Sequence, residues 1–211
     1  NRLINTFDGK LKSSTTLDKV YCCEDLIELE KLIGITYKAD YNGYPSNIMM
    51  VNHENQKLTV LGNNNKSFNN FDAHDLWHAR LSMVISRRAV NKPVDEGCAY
   101  LYGGSWGLSW EEIYEAFVDQ VAANKNIDWT EIKEKPLYFT TKGNNNSADY
   151  IVNALLIKQI EEEKGFEGVW ELLTTGPYEK GNEKYYHTLE SLTGITKENY
   201  NVKVWELINK S

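Results

Sequence analysis

Cysteine is scarce in this chain: only Cys22, Cys23 and Cys98 occur among 211 residues. Three thiols cannot all pair within one chain, and their spacing fits no zinc ribbon or finger, so a disulfide scaffold and a cysteine-based zinc module are both set aside. Small buried hydrophobes are the expected role for all three. Positive charge is also short. Lys plus Arg number 23 against 30 for Asp plus Glu, a net charge of −7, so there is no basic excess to meet a phosphate backbone and a nucleic-acid partner is not expected. Long apolar runs are missing as well. The best candidate, "YIVNALLI" at 150–157, falls far short of the ~20 residues a membrane-spanning helix needs. No internal repeat is present, and the sequence begins at Asn1 with neither Met nor a charged-then-apolar leader, so removal of a preceding segment is expected.

What is present suits a folded protein. A hydrophobic content of 41% over 211 residues can bury a real core, and the length points to one domain. Residues 1–15 are polar and aperiodic, and read as a tail or an edge strand. From Thr16 the spacing of Leu17, Val20, Tyr21, Leu26, Ile27, Leu29 and Leu32 predicts a helix of about four turns, stopped by Gly34. The short runs "ITY", "NIMMV" and "KLTVLG", broken by "NGYPS" and "NHENQ", predict a small antiparallel sheet. Everything after residue 70 reads as helical. "AHDLWHARLSMVISRRAV" keeps a helical spacing until Pro93 closes it, and "DEGCAYLYGG" forms a shorter segment closed by its glycines. Ser109 and Glu112 stand at capping-box spacing. Further helices are expected at 147–163, at 166–174, and from Glu183 onward with a break near Gly194. The Asn triplets at 63–65 and 144–146 read as solvated loops. The fold class is therefore α+β: an N-terminal helix and small sheet over 1–69, then a mostly helical half over 70–211.

Chemistry concentrates in "FDAHDLWHARL". His74 and His78 are four residues apart, so on a helix their rings can converge on one point from adjacent turns. A divalent ion suits that point, given a third ligand from elsewhere. Glu96, eighteen residues beyond His78, supplies one on the following segment, with Asp95 as its neighbouring alternative. The plainer readings stand beside this one. Each histidine alone is as well explained as a half-buried imidazole bonded to a carbonyl. Asp75 alone fits a first-turn acid favoured by the helix dipole, and Glu96 a surface carboxylate. His53 and His187 have no ligand partner in register.

Taken together, "HDLWH" followed by "DEGCAYLYGG" resembles the gluzincin metallopeptidases, the peptidase MA-like group whose pattern is His-Glu-x-x-His followed by a helix carrying Glu, often with Gly-x-Ala. His74, His78 and Glu96 match the three metal ligands, and Gly97 and Ala99 match the residues after the glutamate. "DYIVNALLIKQIEEEKGFEGVWELLTTG" and "LESLTGITKENYNVKVWELI" resemble the later helices of the bacterial members. The resemblance implies a zincin-like fold, one zinc ion, a peptide or protein substrate laid along an edge strand such as "KLTVLG", and an exported protein. It implies hydrolysis by a metal-activated water, with Asp75 as general base and Tyr150 as donor to the developing oxyanion. One position departs from the pattern. The family's base is Glu, and Asp75 is one methylene shorter, about 1.5 Å of reach. A misplacement of about 1 Å can cost on the order of a hundredfold in rate. The alternative reading follows from that residue: a metal-retaining but catalytically silent relative that binds a peptide, glycan or protein. A purely structural histidine pair in a helical interaction module is the third.

Overall fold

The computed structural model describes residues 2–12, 18–22, 48–52, 57–60, 73–132, 134–177, 179 and 181–210. The chain divides into two compact units, Asn1–Val84 and Ile85–Ser211.

The first unit opens with helix α1, Arg2–Leu11, where no regular element was expected. Phe7 and Leu11, four apart, are both buried, and one apolar stripe on a polar helix is too narrow to stand out in composition. Three strands follow: β1 (Asp18–Cys22), β2 (Ile48–Asn52) and β3 (Lys57–Val60). They form an antiparallel sheet in the order β1-β2-β3, with Val20 opposite Met50 and Met50 opposite Thr59. Two of the expected runs, "NIMMV" and "KLTVLG", thus pair antiparallel as β2 and β3, and among the described residues β3 is the outer strand of the sheet. The helix expected from Thr16 is corrected over 18–22. "DKVYC" carries a β-branched and an aromatic residue, and pairing with β2 decides between two periods that a run this short satisfies equally. The rest of that predicted helix, "ITY", His53 and the Asn triplet at 63–65 lie outside the described residues. Helix α2, Ala73–Val84, closes the unit and ends well before Pro93. Its Trp77 is fully buried, with the Phe7 ring edge-on at 5.6 Å.

The second unit is built on two helices. Helix α3, Lys92–Gly103, starts where the previous helix was expected to continue, because Pro93 falls in its first turn, where a missing N–H costs nothing. Helix α5, Ala148–Leu173, runs 26 residues with a non-helical Gly165 (φ 70°), which separates the two helices read from the sequence. Gly97 lets α3 and α5 meet: a Cβ there would lie 2.9 Å from the Ala154 amide nitrogen and 3.0 Å from Asn153 Cβ. Between them come α4 (Trp110–Phe117), a π-helical turn (Val118–Ala122) and a hairpin of β4 (Tyr138–Thr141) and β5 (Asn144–Ser147). The capping box is formed: Glu112 N–H donates to Ser109 Oγ at 3.3 Å, and Ser109 N–H to the Glu112 carboxylate at 2.8 Å.

The Asn144–Asn146 run is a strand, not a solvated loop. Lys142 (φ 46°) and Gly143 (φ 81°) make the tight turn, and Asn146 is 1% exposed. Its Nδ2 donates to Thr141 Oγ1 at 2.8 Å, and its Oδ1 accepts from Tyr100 Oη at 2.9 Å. Side-chain bonds thus offset the poor strand propensity of asparagine. Helices α6 (Glu183–Thr193) and α7 (Tyr200–Lys210) complete the unit, with Gly194 (φ 72°) ending α6 as expected. His187 is exposed on α6. Among the described residues no helix is long and apolar enough to cross a membrane.

Candidate metal centre

Helix α2 places His74 and His78 as their spacing implies. The rings meet edge-on, with centroids 4.8 Å apart and planes at 80°, and the two Nε2 atoms lie 3.1 Å apart. One ring donates to the other across that gap. Two nitrogens bound to one ion at roughly 2.0–2.1 Å in a tetrahedral arrangement would stand about 3.3 Å apart. The pair therefore already has the separation a shared ion asks for, to within a few tenths of an ångström. Both rings are half-buried, which shields them from bulk water without closing them off.

Helix α3 carries Glu96. Around it Asp95, Gly97, Cys98 and Ala99 are all buried, so Glu96 is the half-buried member of an otherwise closed stretch. The helix is anchored to α5 at both ends: Asn91 N–H donates to Leu173 O at 2.8 Å, and Tyr102 Oη donates to Glu161 at 2.8 Å. Gly97, directly after the glutamate, serves this packing, and Ala99 is fully buried. His74, His78 and Glu96 form a group that can hold a metal ion: each offers one ligand atom, and these atoms all lie within 4.8 Å of one another. Two imidazoles and a carboxylate leave a position open and suit zinc as well as other first-row divalent ions. Asp95, the alternative ligand, is 1% exposed and is not in this group.

Asp75 lies in the first turn of α2, beside His74 and half-buried. Tyr150 lies in the first turn of α5. Burial first, and then the charges of Glu96, Asp149 and Asp95, push its hydroxyl up to about 12, so it stays an O–H donor through the neutral range. Cys98 is buried in α3, the small-hydrophobe role expected of it.

A buried polar chain that sequence reading missed supports the start of α5. Asn153 Nδ2 donates to Asp149 O at 2.8 Å and to Asp149 Oδ1 at 3.0 Å, while its Oδ1 accepts from Tyr185 Oη at 2.9 Å. Asn153 and Tyr185 are fully buried, and burial pushes the Tyr185 hydroxyl well above its usual range. This ties the first turn of α5, and with it Tyr150, to α6. The i, i+4 spacing of Asp149 and Asn153 was the available signal, but it is common on helices and carries no chemistry until burial is known.

No protein-family model, curated protein or solved structure matches the chain.

Proposed function

We propose that this protein is a zinc-dependent hydrolase of peptide bonds, with His74, His78 and Glu96 as the ligands of one ion. The observation that carries the reading is the 3.1 Å approach of the two Nε2 atoms on one helix, with a Glu96 oxygen in the same 4.8 Å group. When bound, zinc makes a water molecule a stronger acid and polarises the carbonyl to be attacked. The chain's own residues do the rest. Asp75, the residue after the first histidine, takes the proton. Tyr150 donates its O–H to the oxyanion that forms at the carbonyl, and its raised pKa keeps that proton in place. Edge strand β3 offers backbone groups along which an extended peptide can pair.

Asp75 also supports a second reading, in which the ion is retained and peptides are bound but not cut. Its carboxylate stops about 1.5 Å short of the family's glutamate. Element analysis and peptide hydrolysis separate the two. The purified protein should carry close to one equivalent of zinc, and His78→Ala should lose it; a metal-free wild type defeats both readings. Slow hydrolysis that rises in Asp75→Glu supports the hydrolase. If both proteins hold zinc and neither cuts a broad peptide library, the binding protein is the correct reading.

A further inference from the structure

The second unit contains a hollow of about 320 Å³ between the start of α3, the β4–β5 hairpin and the first turn of α5. We propose that it is a recognition pocket for one neutral aromatic side chain, that of phenylalanine or tyrosine, on a peptide. As a substrate subsite it rests on the hydrolase reading above; as a ligand pocket it does not.

Rings and prolines make up most of the walls, with Asn145 and Ser147 of β5 among the polar members. Pro93, Tyr100, Ile132, Pro136, Tyr138 and Tyr150 line the hollow. Aromatic guests favour ring faces and edges of this kind. A volume near 320 Å³ sits at the low end of small-ligand sites, which run from roughly 300 to 1,000 Å³, so it suits one side chain and not a polymer. The walls are also held in place. Tyr100 is 5% exposed, its hydroxyl is fixed on Asn146 at 2.9 Å, and its ring lies 6.2 Å from that of Tyr150 at a tilt of 47°. On the far side, Gln120 grips β4, donating to Thr140 O at 2.9 Å and accepting from Thr140 N–H at 3.0 Å. Tyr138 stands at the rim with 63% of its surface exposed, a large ring left in water that a guest would cover.

Charge gives no advantage to an ionised guest. Asp149, 7% exposed, and Lys92 put one charge of each sign in the lining, so the hollow has no net charge with which to hold an acidic or a basic side chain, and either would lose its own hydration on entering. A neutral ring with at most a hydroxyl at its tip avoids that cost. Tyr150, which stands in the pocket wall, is also the residue proposed above to donate to the oxyanion, and that shared residue is what makes the hollow a candidate substrate subsite.

The test uses the N-acetyl amides of tyrosine, alanine and glutamate, titrated into the full chain by NMR in the presence of EDTA, so that no metal is needed for the readout. The tyrosine amide should bind about tenfold or more tighter than the other two, a preference of the size a single side chain gives in a fitted pocket. Tyr138→Ala, at an exposed position where folding is not at stake, should remove most of that preference, and Tyr138→Phe should keep it. Equal binding of the tyrosine and alanine amides overturns the pocket, as does an unchanged preference in Tyr138→Ala. The zinc content of each preparation, measured before EDTA is added, separates the two proposals. Absence of the preference in a protein isolated with zinc sinks the pocket alone, whereas a preference kept in a protein that takes up no zinc overturns its role as a substrate subsite.

Discussion

The histidine pair on α2 and the surroundings of Glu96 on α3 are built in different ways. His74 and His78 converge because a single helix puts residues four apart on adjacent turns, and their 3.1 Å approach needs nothing beyond that helix. Glu96 depends on a larger frame. Gly97 must let α3 sink against α5, Asn146 must hold the hairpin to Tyr100, and Asn153 must join Asp149 to Tyr185. Damage to the pair should therefore be local, and damage to the frame should reach stability as well as the site.

Gly97→Val is the strongest way to break this symmetry. Its Cβ would already crowd backbone at 2.9 Å, and the branched side chain adds more, so a loss on the order of 3 kcal/mol of folding stability is expected, read by denaturant unfolding. His78→Ala is the contrasting case, with metal uptake lost while the unfolding midpoint of the metal-free protein shifts by less than about 1 kcal/mol. A midpoint collapse in His78→Ala would show that the pair carries structure after all. Asn153→Ala strips partners from Asp149 and the buried Tyr185 hydroxyl, and should cost about 1–3 kcal/mol.

Alkaline pH sharpens the comparison from the side of the frame. Burial, then Glu96, Asp149 and Asp95, raise the Tyr150 pKa from 10.0 to about 12, so above pH 10 the unfolded chain releases a proton that the folded chain keeps. Stability should hold below pH 10 and fall between 10 and 12. Tyr150→Phe should make that fall shallower; a pH profile identical to wild type would contradict the placement of Tyr150 in this field. At the capping box, Ser109→Ala should cost about 1 kcal/mol, with zinc content and the aromatic preference unchanged.

Legibility followed the range of the interaction. Ser109 and Glu112, Gly165, Gly194 and the β2 and β3 runs act within a few residues, and the elements they mark stand where the residues place them. The sequence marks no element over residues 2–11, a helix over 18–22 and a loop over 144–146, and all three depart from the structure for one shared reason. Phe7 becomes a helix anchor only with Trp77 against it, "DKVYC" a strand only with β2 beside it, and Asn146 a core residue only with Tyr100 donating to it.

By itself the sequence determined the helix that carries His74 and His78, the convergence of the two rings, and the shortened acid between them, because helical spacing and side-chain length are local properties. The tertiary structure decided that Glu96 joins the pair, that Tyr150 keeps its proton, and that three tyrosines from separate elements enclose one hollow. Each of these depends on packing between residues distant in the chain, and spacing along a sequence carries no measure of that.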